Sequence, residues 1–381
     1  MKTAVIILPS YNEKEGLSKI IPEIFSLPID EKIWDLRVIV VDDESPDGSG
    51  ELVADLKKTY PKLHLLTGKK QGLGKAYMRG FDEAIEKHNA FVVFEMDADG
   101  QHPASLIPQM LEKVALGADF VIGSRYIKGG GLPKAWGWWR RLVSVVSNNW
   151  VARIGFMHFS IHDWTSGYRA IKTWFIKENI HHLTSKNNYV FQIAILDKAI
   201  KKHLNIVEVP LKFGLRERGD SKMNTFQFMW ETSLYILQHS SFIRFAIVAL
   251  IGFGIDFGVA HFLIETFHWQ VIRANLLSME LAIIMNFILN NFWSFGHKKI
   301  EHKPLKIVTK FATFNFVSLG SIIIQAVGLM TLLTFVGDFV MIDMFGIAVR
   351  SWIVYKVSII AIFIIPYSYF MYNKVIWKNK R

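Results

Sequence analysis

The stretch Phe91–His102, with the sequence FVVFEMDADGQH, joins an apolar run to a polar cluster. Its first four side chains are apolar without alternation, which is typical of a strand buried on both faces of a parallel sheet. Beyond the run, Asp97, Asp99 and Gln101 follow at every second position. Ligands of open α/β sheets bind beyond the carboxyl ends of the strands. This stretch therefore predicts a fold class and the place of a site.

The same pattern recurs through the first 210 residues. Further apolar runs with the length of short strands lie at 4–8, 36–41, 63–66, 120–122 and 206–209. Segments of helical period lie between the earlier runs, at about 13–27, 50–59, 73–88 and 103–116. Short apolar strands that alternate with helices predict an α/β domain with a mostly parallel sheet covered on both faces.

Two more polar clusters follow the first and second predicted strands. They are Pro9–Glu13, with the sequence PSYNE, and Asp42–Gly48, with the sequence DDESPDG. Because the carboxyl ends of parallel strands meet at one edge of a sheet, we expect these clusters and the first one to share a crevice. Asp42 and Asp43 either form a cap or an Asx-turn, or present a carboxylate to a nucleobase or ribose.

The Asp-x-Asp-x-Gln pattern offers three oxygen donors within five residues. Hard divalent cations such as Mg²⁺ prefer oxygen ligands and commonly combine one or two carboxylates with substrate phosphates. An Asp-x-Asp after a strand is also ordinary loop or capping chemistry, but its place beside two acidic strand ends favours a site for a metal and a diphosphate. Lys75, in the sequence GLGK, either belongs to a turn or brings an ammonium group near phosphate.

Several other classes of protein are excluded or disfavoured. The chain has no cysteine, so disulfides and thiolate chemistry are excluded. It has neither a Walker-type loop nor a dinucleotide-binding glycine fingerprint after the first strand. The formal charge is +11, with 31 basic and 27 acidic residues in 1–240 and 13 and 6 in 241–381. The excess of basic residues in 241–381 lies at the ends of long apolar runs. This indicates a membrane surface as partner and no nucleic acid.

Four apolar segments follow residue 240, at 242–266, 271–293, 311–336 and 347–371. Each has about 20 residues or more, which is enough to cross roughly 30 Å of hydrocarbon. Basic residues concentrate between the second and third segments and after the fourth. The positive-inside rule therefore predicts an integral membrane protein with the loop between the second and third segments, both termini and the α/β domain in the cytoplasm.

Charged residues in the interior of these apolar segments include Asp256, Glu280 and Lys356. Ionisable side chains inside a membrane are usually paired. We therefore expect Lys356 in the fourth segment to form an ion pair with Asp256 or Glu280.

Two further segments, Trp139–Trp150 and Phe226–Leu237, have an amphipathic helical pattern rich in aromatic residues. Such helices lie in a bilayer surface, although either apolar stripe could instead pack on the globular core. We expect one interface helix at about 136–152, within an α/β domain of residues 1–225, and a second at 226–240. The transmembrane domain then occupies residues 241–381.

Eight motifs occur in order along the first 225 residues: LPSYNE, VVDDESPDGSG, GLGKAY, MDADGQHP, GSRYIKGGG, WTSGYRA, YVFQ and RERGDSK. In this combination the chain resembles glycosyltransferase family 2, and within it the dolichol-phosphate mannose synthases and their polyprenyl-phosphate relatives. The tail, with RFAIVALIGFGIDF and NFILNNFWSF, resembles the GtrA-like membrane domain. The resemblance implies a GT-A catalytic domain with a Rossmann-like sheet, joined to an all-α transmembrane domain of four helices.

The resemblance also implies roles by position. The residues expected around the nucleotide-sugar are Pro9, Tyr11, Glu13, Asp43, Lys75, Asp97 and Asp99, with Asp42 as a weaker candidate. Those expected to bind Mg²⁺ or Mn²⁺ are Asp97, Asp99 and Gln101. Those expected to hold the acceptor phosphate are Arg125, Arg140, Ser144, Arg216 and Lys222. Catalysis would depend on Asp99, Arg125, Arg140 and Arg216.

The chain departs from the family pattern at two places. Leu215 stands where relatives often have an acidic residue before the arginine that matches Arg216. The Trp-rich segment has one residue more than usual, so Arg141 could take the place of Arg140. Asp163 would be a candidate general base in relatives that act on sugar hydroxyls. A lipid phosphate is already an anion, so here Asp163 is interpreted as structural or as part of the acceptor loop.

The function implied is an inverting, metal-dependent transfer of a hexose, foremost mannose from GDP-mannose, to dolichyl or polyprenyl phosphate. A UDP-glucose or other UDP-hexose donor is the nearest alternative. A processive polysaccharide synthase is disfavoured because the chain lacks Gln-x-x-Arg-Trp. A translocator of lipid-linked sugar with a regulatory soluble domain is a further alternative from a different class.

Overall fold

The computed structural model describes residues 1–183, 190–214, 225–296, 304–344 and 347–377. The chain divides into two compact units, Met1–Ile236 and Leu237–Arg381. The first unit contains a seven-stranded sheet with helices on both faces, and long apolar helices make up most of the second.

The strands of the first unit are β1 Lys2–Ser10, β2 Trp34–Asp42, β3 Leu63–Thr67, β4 Val92–Glu95, β5 Phe120–Ser124, β6 Arg169–Lys172 and β7 Ile206–Pro210. Their order in the sheet is β3-β2-β1-β4-β6-β5-β7. All neighbouring pairs are parallel except the two that β6 makes. The mostly parallel α/β sheet is therefore confirmed, and each predicted apolar run contributes a strand.

Strand β6 was not predicted, because its four residues lack a continuous apolar run. Arg169 and Lys172 are charged residues at its two ends. It lies antiparallel between β4 and β5, with Glu95 in register with Arg169. Its position separates β4 from β5, so the sheet is not the uninterrupted parallel array that the other strands predict.

The helices of the first unit are α1 Lys14–Phe25, α2 Ser49–Leu56, α3 Leu73–Glu86, α4 Ile107–Ala115, α5 Trp138–Val145, α6 Thr173–Leu183, α7 Val190–Lys201 and α8 Thr225–His239. A π-helical segment, Val146–Ile154, follows α5 directly. Alternate side chains of β1 feed two apolar clusters: Ile6 belongs to one and Ile7 to the other. Both faces of β1 are thus buried, which explains its unbroken apolar sequence.

Strand β1 pairs with β2 on one side and with β4 on the other. The strand order therefore reverses at β1, and this is where open α/β sheets leave a crevice at the carboxyl ends of their strands. The three polar clusters predicted from the sequence follow β1, β2 and β4, so they border this crevice.

The second unit contains four helices with the length and apolar composition needed to cross a membrane. Its elements are α9 Ser241–Phe267, α10 Val271–Leu289 with the π-helical Asn290–Ser294, α11 Pro304–Phe335, α12 Ser351–Ile359, the π-helical Ile360–Ile364, α13 Ile365–Met371 and the π-helical Tyr372–Ile376. Only 6–22% of the residues in the four candidate spans are buried, so most of their apolar surface is available to lipid.

Two span boundaries differ from those predicted. The third helix begins at Pro304, because proline is well tolerated in the first turn of a helix. The fourth begins at Ser351 and not at 347, because Ile347–Arg350 forms strand β9, which pairs antiparallel with β8, Val340–Met344.

The predicted ion pair of Lys356 is wrong. Within the described part of the chain, no salt bridge joins Lys356 to Asp256 or Glu280. The Asp256 carboxylate instead accepts a hydrogen bond from Ser278 Oγ on α10 at 2.6 Å. A hydroxyl on the adjacent helix thus provides the hydrogen bond that we expected from a cation.

Candidate active site

The turn after β4 carries the predicted metal-binding residues. The side chain of Asp97 is 37% exposed, whereas Asp99 and Gln101 are buried. Asp99 Oδ1 accepts a hydrogen bond from the backbone N–H of Gln101 at 3.0 Å. Between them, Gly100 has a φ of 80°, in the left-handed region that favours glycine. The turn therefore places Asp97, Asp99 and Gln101 just beyond the carboxyl end of β4, with Asp99 held against the backbone of Gln101.

His102 fixes the start of this turn from the protein interior. Its Nδ1 accepts the backbone N–H of Asp97 at 2.9 Å, which places the ring proton on Nε2. The ring is stacked on Tyr168 at a centroid distance of 4.8 Å. Burial lowers the pKa of His102 to about 4. The imidazole is therefore neutral near pH 7 and orients the backbone of Asp97 without adding charge to the site.

Helix α1 packs directly against the same turn. A Cβ atom added to Gly16 would lie 2.1 Å from the carbonyl oxygen of Ala98, so only glycine permits this approach. The segment after β1 and the turn after β4 are therefore in contact, as the predicted shared crevice requires.

The loops after β1 and β2 are joined by hydrogen bonds. The backbone N–H of Asn12 donates to Ser45 Oγ at 3.0 Å. The backbone N–H of Lys14 donates to Asp47 Oδ2 at 3.1 Å. That of Glu13 donates to Ser49 Oγ at 3.3 Å. These bonds fix the two predicted nucleoside-binding loops relative to each other.

Asp42 and Asp43 have different environments. Asp42 accepts the backbone N–H of Ser45 at 3.0 Å and its hydroxyl at 2.5 Å, which is an Asx-type turn. Asp43 forms a salt bridge with Arg79 on α3. Burial raises the pKa of Asp43, and Arg79 acts against that effect. Asp42 thus has the structural role considered for it, and Asp43 is the carboxylate that Arg79 orients.

Three other residues expected around the nucleotide-sugar lie near these loops. Pro9 is in β1, in register with Val41 of β2. The ring of Tyr11 lies under Lys70, whose Nζ is 3.4 Å from the ring centroid. Lys75 is half-buried in the first turn of α3.

Arg125 is bound tightly to Asp163. Its Nε donates to Asp163 Oδ2 and its Nη2 to Asp163 Oδ1, both at 2.8 Å. Nη2 also donates to Thr165 Oγ1 at 2.8 Å. Asp163 is fully buried, and although burial acts to raise its pKa, the hydrogen bonds and charge of Arg125 hold it below the ordinary value. An ionised carboxylate held in this way is a poor general base, which supports the structural interpretation of Asp163.

Arg140 and Arg141 in the Trp-rich segment have different contacts. Arg141 Nη2 donates to the carbonyl oxygens of Pro133 and Lys134, so it fixes the preceding loop. Arg140 is exposed, and its guanidinium lies 4.0 Å from the centroid of the Trp136 ring. Arg140 is therefore the more exposed of the two arginines.

Ser144 lies one turn further along α5. Its hydroxyl is 2.7 Å from that of Tyr126. Tyr126 is the residue that follows Arg125, so this contact links α5 to the loop after β5. Arg216 and Lys222, together with Leu215, lie outside the described residues.

Sequence reasoning missed two buried ionisable residues in the sheet, Arg169 and Glu95. Arg169 on the unpredicted strand β6 is fully buried, and its guanidinium donates to the carbonyl oxygens of Gln192 at 2.6 Å and Trp164 at 3.0 Å. Burial raises the pKa of Glu95, its neighbour on β4, to about 7. The adjacent charge of Arg169 acts in the opposite direction. Without the strand, neither residue could have been placed.

Asn148 was missed for a different reason. It lies in the π-helical segment, and its side chain accepts the backbone N–H of Trp164 at 2.7 Å and donates to the carbonyl oxygen of His162. It thereby holds the loop that carries Asp163. A π-helical bulge in a helix often marks a functional site, but the sequence pattern does not reveal one.

The turn after β4 fits a divalent cation. Among the described residues, no three His, Asp or Glu side chains gather around one point, so a cation held by protein ligands alone is not indicated. Two carboxylates and an amide oxygen suit Mg²⁺ or Mn²⁺ when substrate phosphates complete the coordination. Gln101 Nε2 donates to the carbonyl oxygen of Gly214 at 3.2 Å, so Oε1 is the atom that could bind the ion.

The fold and the crevice are those of an α/β protein that binds its ligand at the carboxyl ends of the strands, and the four apolar helices can cross a membrane. The profile of glycosyl transferase family 2 matches residues 5–197, and that of the GtrA/DPMS transmembrane domain matches residues 244–377. The chain belongs to glycosyl transferase family 2, as the resemblance implied, and it is an integral membrane enzyme.

Relatives extend this similarity over both units. A dolichol-phosphate mannosyltransferase of Pyrococcus furiosus is 32% identical over 380 residues, covering 94% of this chain and 98% of that protein. A polyprenol monophosphomannose synthase of Mycolicibacterium smegmatis is 36% identical over 58% of this chain and 80% of that protein. An undecaprenyl-phosphate mannosyltransferase of Micrococcus luteus is 35% identical over 57% of this chain and 86% of that protein.

Proposed function

We propose that this chain transfers mannose from GDP-mannose to dolichyl or polyprenyl phosphate, with inversion at the anomeric carbon and with Mg²⁺ or Mn²⁺ as cofactor. The observation that carries the proposal is the 32% identity, over almost the whole length of both proteins, with a dolichol-phosphate mannosyltransferase. The two relatives that match 58% and 57% of this chain are also named for mannose and a polyprenyl phosphate.

The environment of Asp163 supports an acceptor that needs no general base. A lipid phosphate is an anion at neutral pH and can attack the anomeric carbon directly, from the face opposite the leaving group. The carboxylate of Asp163 accepts two hydrogen bonds from the Arg125 guanidinium and one from the Arg125 backbone N–H, so it is not arranged to remove a proton from an acceptor. Positioning two anionic substrates is then the main task of the protein.

The arginines divide this task. Arg140 is exposed on α5 and can make a bidentate contact to the acceptor phosphate. Arg125 offers only its Nη1 edge, because Nε and Nη2 are engaged by Asp163 and Thr165. Arg216 and Lys222 are proposed for the same phosphate on the resemblance alone.

The nucleotide-sugar is proposed to lie across the crevice. The loops after β1 and β2, with Tyr11 and the Asp43–Arg79 pair, hold the nucleoside. Asp97, Asp99 and Gln101 are the residues that would hold the metal. When bound, a divalent cation neutralises charge that develops on the departing nucleoside diphosphate.

Exposed aromatic residues support contact of the catalytic domain with a bilayer. On α5, Trp138 is 75% exposed and Trp139 61%, and on α8, Phe226 is 79% and Trp230 60% exposed. Such side chains favour a membrane interface. We propose that the catalytic domain of 1–225 and the helix at 226–240 meet the cytoplasmic leaflet, with the 241–381 domain spanning the membrane and both termini in the cytoplasm.

The test is a transfer assay with the purified full-length protein in detergent. Polyprenyl phosphate is incubated with Mn²⁺ or Mg²⁺ and a panel of radiolabelled nucleotide-sugars, and label is counted in the organic phase. We expect GDP-mannose to be preferred, transfer to stop on exhaustive chelation, and added metal to restore it. Asp99→Asn should abolish transfer, whereas Asp55→Asn, a surface control in an exposed pair with Lys58, should not.

Three results would overturn parts of the proposal. Preference for a UDP-hexose would replace the donor. Full turnover after chelation would exclude the metal. The translocator alternative would be correct under two conditions. The wild type would transfer no sugar from any donor, and Asp99→Asn would still move preformed lipid-linked sugar across a membrane.

A further inference from the structure

Phe213 lies where three parts of the candidate site meet. Its backbone N–H donates to the carbonyl oxygen of Gly131, in the loop that leads to α5, at 3.1 Å. The next residue, Gly214, donates its N–H to the carbonyl oxygen of Gln101 at 2.9 Å. Gly214 also accepts the Gln101 side-chain amide at 3.2 Å. The backbone around Phe213 is thus held between the metal-binding turn and the loop before α5.

The phenyl ring touches side chains from the same parts of the site. Its centroid is 5.4 Å from the ring of His102, in an edge-on arrangement, and His102 orients Asp97. The guanidinium carbon of Arg125 lies 5.4 Å from the centroid, within the range of a cation–π contact.

Trp136 connects the Phe213 ring to Arg140. The Trp136 ring meets that of Phe213 at 5.9 Å and 76°, an edge-to-face pair. Arg140 in turn stacks on Trp136 at 4.0 Å. One phenylalanine therefore contacts Arg125 directly and Arg140 through a single intervening aromatic ring.

We infer that Phe213 is a positioning residue for the acceptor phosphate: its ring fixes the spacing of Arg125 and Arg140 and ties both to the metal-binding turn. The inference rests on the proposed function for the identity of the acceptor. Nothing in the family resemblance or in the names of the relatives assigns a role to this residue.

The physical reason is that two arginines on different segments must face one phosphate while avoiding each other. Asp163 restrains Arg125 on one edge of its guanidinium, whereas Arg140 lies on the exposed surface of α5, where a long side chain has rotamer freedom that each contact reduces. A ring stack limits those rotamers without removing hydrogen-bond donors, because a guanidinium stacks through its face and donates in its plane. Phe213 holds Trp136, and Trp136 holds Arg140.

A simpler role for Phe213 would be packing alone, because the ring also lies against the apolar cluster on one face of the sheet. The two roles make different predictions. Loss of packing alone would lower stability and affect both substrates alike. Loss of positioning would weaken the polyprenyl phosphate selectively.

The test compares Phe213→Leu, which removes the ring, with Phe213→Tyr, which keeps its face, in the full-length protein in detergent. The matched control is Phe25→Leu, since Phe25 is a half-buried ring stacked on Tyr60 at 4.8 Å and no arginine contacts that pair among the described residues. Initial rates are measured against polyprenyl phosphate and against the nucleotide-sugar, and the Kd of fluorescent polyprenyl phosphate is measured without any donor.

We expect Phe213→Leu to raise the KM and Kd for polyprenyl phosphate about five-fold or more, in the range of a partly desolvated cation–π contact. The KM for the nucleotide-sugar should change less than about two-fold, and Phe213→Tyr should stay close to the wild type. Phe25→Leu should lower only the Tm. Trp136→Leu should weaken the acceptor similarly, and the double variant should show less than the product of the two effects because the residues act through one contact chain.

Equal changes in the KM of both substrates would refute the inference, as would an acceptor Kd that is unchanged in Phe213→Leu. Independent, multiplying effects of Phe213→Leu and Trp136→Leu would refute the route through Trp136. If Phe213→Leu does not fold, Trp136→Leu alone decides, and an unchanged acceptor Kd there overturns the inference. A wild type that binds polyprenyl phosphate but transfers no mannose would count against the proposed function, while the Kd comparison still tests Phe213.

Discussion

Replacing Asp163 by asparagine separates a structural role from a catalytic one. Asp163 is fully buried and holds the Arg125 guanidinium through two hydrogen bonds of 2.8 Å. The substitution keeps the shape but leaves the buried guanidinium without a countercharge. Breaking a buried ion pair in this way costs about 3–5 kcal/mol. For a unit of this size we expect the Tm to fall by about 6–20 °C, at roughly 2–4 °C per kcal/mol.

The stabilisation by Asp163 also depends on pH in a defined direction. Arg125 holds the folded-state pKa of Asp163 below its ordinary value even though burial acts to raise it. The contribution is therefore present above the pKa of the unfolded chain, about 4, and is lost as pH falls through the folded-state pKa. We expect the Tm difference between the wild type and Asp163→Asn to be constant from pH 6 to 8 and to shrink below pH 4.

The assay is thermal unfolding of the full-length protein in detergent, followed by intrinsic fluorescence, with transfer activity measured well below the lower Tm. Asp55→Asn is the control, because it breaks an exposed aspartate–lysine pair and should leave the Tm unchanged. An unaltered Tm together with complete loss of transfer would refute the structural role and make Asp163 a general base. A residual transfer rate in Asp163→Asn, with the same pH profile as the wild type, would support the structural role.

Two further substitutions test the local geometry. Gly16→Ala should reduce kcat strongly, because its Cβ would lie 2.1 Å from the Ala98 carbonyl oxygen and displace the turn after β4. Gly258→Ala is the control and should leave kcat unchanged, because nothing lies within 4 Å of its added Cβ. Normal kcat in Gly16→Ala would show that the turn can move without consequence. Asn148→Ala should lower the free energy of unfolding by about 1–3 kcal/mol by leaving the buried Trp164 N–H unpaired, and an unchanged denaturant midpoint would contradict this.

The parallel strands were predictable because each contains an apolar run with the length of a short buried strand. Both faces of β1 are buried, so its sequence is apolar throughout Ala4–Leu8. Arg169–Lys172 gives no such signal, since a four-residue strand between two others can have charged ends when specific partners satisfy them. The pair of Arg169 and Glu95 depends on that antiparallel insertion.

The candidate residues were predictable in kind but not in their contacts. The sequence places Asp97 and Asp99 after a buried strand, and the structure finds them on one turn. The sequence could not show which of Arg140 and Arg141 fixes the preceding loop, because this depends on which guanidinium reaches the carbonyl oxygens of that loop.

From the sequence alone came the two-part organisation, the sheet class, the four membrane helices and the oxygen-rich end of β4, because apolar periodicity and short motifs are local properties of the chain. Only the tertiary structure showed that Asp163 forms an ion pair with Arg125. It also showed that Phe213 contacts His102 in the turn after β4 and Arg125, and reaches Arg140 through Trp136. Apart from the contact between Arg140 and Trp136, those contacts join residues 38 or more positions apart, and their geometry depends on how β-sheet order and loop packing bring distant segments together.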